Sequence, residues 1–182
     1  MTTARLLSAY HQWQMPTREV CAETGVTLAN LNCPGQLVIS GETEKIVKAC
    51  ELAKAKGAKR AIPLTVAGAY HSPLMAGAQP RLQDELAKIK ITPTTVPVIA
   101  NIDALPHGLP PAIASRLVGQ VTSSVLWEKS MRALLAQGFS RFIELGPGTA
   151  LSGFMKRIDK NAQMLNVGDV ASLEATMKAI SG

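Results

Sequence analysis

From residue 26 to the C-terminus, short aliphatic and β-branched runs alternate with segments of helical period. That alternation constrains the fold more than any other feature, because it demands an α/β architecture. "VTLANLNCPGQLVISG" (26–41) predicts two short strands around a Cys-Pro-Gly turn. "ETEKIVKACELAKAKGAK" (42–59) predicts a helix with Ile46, Ala49, Leu52 and Ala53 on one face and Gly57 as its stop. "KRAIPLTV" (59–66) reads as a strand, and 73–89 as helical with a break before Pro80 or with Pro80 in its first turn. "VPVIANI" (96–102) is a nearly continuous apolar run, which suits a strand buried on both faces. Two helices follow, over 111–120 and 126–138, the second with Leu126, Met131, Leu134 and Leu135 inward and Gly138 as its stop. "RFIEL" reads as another buried strand, running into a Gly-Pro-Gly turn and a helix, and a last strand and helix close the chain. Residues 1–18 fit a short helix ending near Pro16, with Leu6, Leu7, Tyr10 and Trp13 in one stripe, or the tail of a longer element.

Composition narrows the function classes. A chain of 182 residues supports one good core with a small second lobe. Aromatics make up only 4%, so that core is aliphatic. The net charge of +6 is scattered, with no basic run interleaved with aromatics, which argues against nucleic acid and for an anionic substrate or an acidic partner. Cys21, Cys33 and Cys50 are odd in number and lack zinc-ligand or C-x-x-C spacing, so free thiols in a reducing cytoplasm are expected. No secretory leader opens the chain, and no apolar run approaches the roughly 20 residues of a membrane span. A cytoplasmic protein without a membrane partner is the expectation.

Chemistry points to "VAGAYHSPLM" (66–75). His71 follows a strand and lies among small and apolar residues, in a loop at the end of a sheet. The other two histidines, His11 and His107, fall in the N-terminal segment and in the proline-rich "LPHGLPP", where surface or structural roles suffice. A loop histidine satisfied by backbone is the alternative for His71.

Five ordered segments then carry a resemblance: "NLNCPGQLVISG", "GAKRAIPLTVAGAYHSPLM", "VPVIANIDA", "QVTSSVLWEKSM" and "FIELGPGTALSGFMKRI". Together they resemble the malonyl-CoA:acyl-carrier-protein transacylase family, from about residue 19 to the C-terminus. The resemblance implies the C-terminal part of a hydrolase-like α/β acyltransferase domain, with part of a ferredoxin-like small subdomain. On that reading residues 1–18 are an unmatched segment, 19–67 the partial small subdomain, and 68–182 the large domain. It implies His71 as general base, the backbone carbonyl of Gln120 as the group that orients it, and Asn32 as a supporting amide. Asn32 fits a turn before Pro34 equally well. Tyr70 resembles the aromatic of malonyl-selective members, and core packing explains it as well. The family has proline at Ser124, a difference expected to loosen the turn carrying Gln120.

The resemblance also implies malonyl-CoA as substrate, an acyl-carrier protein as partner bringing its own phosphopantetheine, and no tightly bound cofactor or metal. Lys45, Lys48, Lys54, Lys56, Lys59 and Arg60 are candidates for a carrier-docking face, and a solvated helix face accounts for them too. The family's G-Q-G-[SA]-Q and G-H-S-x-G segments are absent, and Ser140 and Ser152 lack the flanking glycines of G-x-S-x-G. The expectation is a truncated chain without its nucleophile, inactive alone. The alternatives are a non-catalytic carrier-binding module or a fragment complemented by a chain that supplies the serine.

Overall fold

A computed structural model of the chain describes residues 1–7 and 14–181. Its first element is a strand rather than the helix read from residues 1–18. β1 (Thr2–Leu7) lies between β3 (Gln36–Gly41) and β4 (Arg60–Leu64), antiparallel to both, with Ala4 opposite Ile39 and Pro63. The helical stripe depended on Tyr10 and Trp13, which lie outside the described residues. β2 (Thr27–Cys33) completes a sheet of order β2-β3-β1-β4. With α1 (Gln14–Thr24) and α2 (Thr43–Ala55) as its connections, this is the βαββαβ, ferredoxin-like arrangement. It therefore starts at residue 2, and its central strand comes from the segment the sequence reading left outside. Pro16 sits in the first turn of α1, where its missing N–H breaks no intrahelical bond, so it begins a helix instead of ending one.

One face of the sheet makes the core. Ala4 and Leu6 of β1, Leu28 and Leu31 of β2, and Leu37 and Ile39 of β3 pack against Val20 of α1 and Ile46, Ala49 and Ala53 of α2. The α2 residues recur at helical spacing, as the sequence pattern required. After the helix, Gly57 adopts φ 99°, its N–H bonds to the Lys54 carbonyl, and the Ala58 N–H reaches the Ala53 carbonyl. That is a Schellman closure, and it buries Ala58 in the same core. Strand alternation turns Thr3 and Arg5 to the opposite face, where Thr3 and Ser40 are also buried.

Past β4 a short 3₁₀ helix (Pro73–Ala78) leads into α3 (Gln79–Ala87), with Pro80 in the first turn. "VPVIANI" is not a buried strand. Its ordered pairing is one antiparallel bridge, Ile99 to Pro106, and Val96 and Val98 are exposed. Pro97 has no N–H to give a ladder, and the chain reverses at once in a turn where Ala104 takes φ 62°. α4 (Pro110–Gln120) follows, then α5 (Trp127–Ala136), which runs across the division between two compact units, Met1–Ser130 and Met131–Gly182.

The second unit holds a parallel pair, β5 (Arg141–Leu145) and β6 (Gln163–Val167), with α6 (Ala150–Ile158) between them and α7 (Val170–Ser181) after. β5 is a strand as expected but not a buried one: Ile143 and Leu145 are exposed, and Glu144 is its buried residue. Glu144 makes sense as a cap. Its carboxylate accepts the N–H groups of Leu151 (3.0 Å) and Ser152 (2.8 Å) at the start of α6, the Ser152 hydroxyl (2.6 Å) and the Asn166 amide (2.9 Å). Burial opposes its charge, but these bonds outweigh burial and hold its pKa below the ordinary carboxylate value. A carboxyl with a depressed folded pKa adds stability above its unfolded pKa and loses it as pH falls through the folded one. Glu144→Gln is therefore expected to lower stability at pH 7 by about 1–3 kcal/mol, the range for hydrogen bonds to a charged group. It should also flatten the fall in Tm between neutral pH and the region below about pH 4, where free carboxyls protonate. Thermal unfolding from pH 7 to pH 3 measures both, and an unchanged acid limb in the variant contradicts the assignment.

Candidate functional site

The loop after β4 is pinned at three points before it presents His71. The Thr3 hydroxyl, on the central strand, donates to the Gly68 carbonyl at 3.3 Å and lies 3.2 Å from the Ser40 hydroxyl of β3. Four residues later the Ser72 hydroxyl donates back to the Ala69 carbonyl at 2.6 Å, both residues being essentially inaccessible to solvent. His71 itself adopts φ 58°, in the left-handed region. For a residue with a Cβ that conformation costs on the order of 1–2 kcal/mol, and it persists because the flanking bonds over-determine it.

The third anchor is the ring. His71 Nδ1 lies 3.2 Å from the carbonyl oxygen of Gln120, the last residue of α4. A carbonyl only accepts, so Nδ1 carries the proton and Nε2 is left with its lone pair. Among the described residues Nε2 has no hydrogen-bond partner. The acceptor is also the C-terminal end of a helix, where the macrodipole places partial negative charge that stabilises an imidazolium. Such a ring takes a proton from a hydroxyl or thiol brought to Nε2 and returns it later.

Gln120 is held from both sides. Gln79 of α3 donates to the Val118 carbonyl (3.1 Å) and to the Thr122 hydroxyl (3.3 Å). Beyond Gln120, the chain is sewn to the open edge of β2: Val125 N–H to Ala29 (2.8 Å), Leu31 N–H to Val125 (2.9 Å), and the Ser124 hydroxyl to the Leu28 carbonyl. The sequence difference at Ser124 thus adds a tie that proline lacks, where loosening was expected. These anchors (Thr3, Ser40, Ser72 and Ser124) escaped sequence reasoning, because a lone Ser or Thr in a strand or loop carries no spacing signal.

The other candidates are less closely joined. Asn32 stands at the end of β2, half-buried, and makes no hydrogen bond to His71 among the described residues. Tyr70 is 46% exposed and so is not core packing. Its ring covers Gly68, where an added Cβ would meet Met75 Sδ at 3.5 Å and the ring at 3.8 Å. His107 is half-buried with Nδ1 unpartnered, away from any pairing with His71, and His11 lies outside the described residues. Of the six basic candidates around α2, Lys45 is paired with Glu42 (2.7 Å) and Lys56 with Glu19 (3.1 Å) and Glu23 (2.8 Å), so these two are tied into a helix face. Burial raises the thiol of Cys21 to about 11, and burial likewise raises that of Cys50, so neither is a ready nucleophile. No cluster of His, Cys, Asp or Glu among the described residues fits a metal ion. No described helix is long and apolar enough to cross a membrane.

His71 and the Gln120 carbonyl are the candidate site that the fold brings together, and comparison with known proteins specifies the class. Residues 5–177 match the acyl transferase domain, a match that begins inside the segment without sequence resemblance above. The malonyl CoA-acyl carrier protein transacylase of Bacillus subtilis (strain 168) is 43% identical over 155 residues, 85% of this chain and 49% of that protein. An acyl carrier protein S-malonyltransferase from Vibrio cholerae superposes with a TM-score of 0.91 at 35% identity, covering 96% of this chain and 57% of the other. A type II PKS acyl-carrier protein in complex with its malonyl-transacylase gives a TM-score of 0.93 at 32% identity, covering 98% and 58%. The chain belongs to the acyl transferase domain family. It spans about half the length of the curated relatives it matches.

Ser72→Ala tests the pinning of the loop. It strands the buried Ala69 carbonyl, and about 1–3 kcal/mol of stability should be lost by urea unfolding. A variant as stable as the parent removes Ser72 from the scaffold of the site.

Proposed function

We propose that this chain supplies the base of a malonyl transferase acting between coenzyme A and an acyl-carrier protein. The observation that carries the reading is the His71–Gln120 pair, with Nδ1 committed to a carbonyl and Nε2 free. In the first half-reaction a serine hydroxyl, itself no match for a thioester at neutral pH, gives its proton to His71 Nε2 as its oxygen bonds to the thioester carbon. The tetrahedral oxyanion collapses, the C–S bond breaks, and the imidazolium returns the proton to the departing thiolate of coenzyme A. In the second half the carrier's phosphopantetheine thiol loses its proton to Nε2, attacks the acyl-serine, and the serine oxygen recovers the proton. Gln120 holds the ring throughout, Tyr70 walls the acyl group, and Asn32 supports the loop.

The chain has no G-x-S-x-G, so that serine comes from elsewhere and this chain alone does not turn over. A second reading is carried by the exposed apolar residues Val96, Val98, Ile143 and Leu145: the chain is a carrier-binding module without chemistry.

Intact-mass spectrometry after incubation with malonyl-CoA separates these. The chain alone is expected to form no malonyl adduct. Mixed with a polypeptide carrying a G-H-S-x-G elbow, it is expected to transfer malonyl to carrier protein, and His71→Ala to cut the rate at least about 10²-fold, as loss of a general base does. An adduct on the chain alone, or transfer indifferent to His71, overturns the proposal. Carrier binding without transfer selects the binding module.

A further inference from the structure

A backbone carbonyl makes no demand on the side chain that bears it, yet the Gln120 side chain is committed. Its Nε2 donates to the Ser123 carbonyl at 2.9 Å and to the Ser124 carbonyl at 3.4 Å, while lying 3.4 Å from His71 Nδ1. Its Oε1 is buried and unpartnered among the described residues. The orientation of the amide follows from these neighbours. Turning it over would aim an oxygen at two carbonyl oxygens, which is repulsive, whereas the NH₂ group meets both as a donor. Nε2 also cannot donate to Nδ1, because Nδ1 carries the proton that the Gln120 carbonyl receives.

We infer that the Gln120 side chain is a positioning group that locks its own carbonyl onto His71. By clamping the two carbonyls that follow it, the amide closes the chain after α4 into a short loop. The far end of that loop is fixed to β2 through Ser124 and Val125. Within this closure the Gln120 carbonyl has one direction, toward the ring, and it also accepts the Ser123 N–H at 3.3 Å. Without the clamp the peptide after Gln120 is free to rotate, and the carbonyl turns from Nδ1 to solvent. The imidazole then distributes its proton over both nitrogens, and Nε2 is the lone-pair nitrogen only part of the time. The inference rests on reading His71 as the base, but its consequence is a property of the ring alone.

The test is long-range ¹H–¹⁵N NMR of the His71 ring in the full chain, across a pH titration, for wild type, Gln120→Met and Gln120→Ala. Wild type is expected to hold one tautomer, Nδ1–H, with the side-chain amide protons of Gln120 slow to exchange. Gln120→Met keeps length and bulk but has no donor; it is expected to show fast averaging between tautomers, with the Val125 N–H still protected. A single Nδ1–H tautomer in both variants overturns the inference, since the backbone carbonyl then needs no help. If the variants do not fold, wild type decides it: Gln120 amide protons exchanging as fast as those of a free side chain overturn it, and protected ones support it. Acyl transfer is not read, so the failure of the transferase proposal would leave this result intact.

Discussion

The hydrogen bond from His71 Nδ1 to the Gln120 carbonyl is the constraint around which this chain is arranged. An imidazole is a directed base only when one nitrogen is occupied by a partner that cannot exchange roles with it. Here the two halves of the bond arrive from different parts of the same unit. The ring comes from the loop after β4, the carbonyl from the last residue of α4, 49 residues on. Each half needs its own foundation, and both foundations reach the same four-stranded sheet. Thr3 and Ser40 tie the histidine loop to the central strands, and Ser124 and Val125 tie the carbonyl's loop to the edge strand β2.

That division explains why the sheet is polar where it is. The face packed on α1 and α2 is aliphatic throughout, as a core of so few aromatics must be. The opposite face carries Thr3 and Ser40, both buried and both hydrogen-bonded. A hydroxyl in such a place is tolerated only when satisfied, and the carbonyl that satisfies Thr3 belongs to Gly68, three residues before His71. The left-handed backbone at His71 follows from the same geometry: two buried bonds fix the chain at 68–69 and 72, and the residue between them accommodates.

The legibility of this structure in its sequence was uneven for physical reasons. α2 and α5 were plain because helical period and the stops at Gly57 and Gly138 are local signals. Pro80 was placed correctly for the same reason. β1 was missed because its burial on both sides comes from partners 30 to 60 residues away, and six residues with two leucines hold no period of their own. "VPVIANI" and "RFIEL" failed in the opposite sense. An apolar run states that burial is favourable but not that a neighbour exists to provide it, and here Val98, Ile143 and Leu145 are exposed. His71 stood out because a histidine among small residues after a strand is rare. Gln120 did not, because a carbonyl has no residue type, and only resemblance named it.

The choice of a carbonyl over a carboxylate has a consequence for the base itself. A carboxylate partner would neutralise the imidazolium and would itself titrate in acid, so that the ring would lose both its charge partner and its orientation together. A carbonyl does neither. It holds the neutral ring in one tautomer, and it leaves the protonated ring as a net positive charge facing the negative end of the α4 dipole. A partner with no proton of its own keeps the ring's orientation independent of any change in the partner's charge.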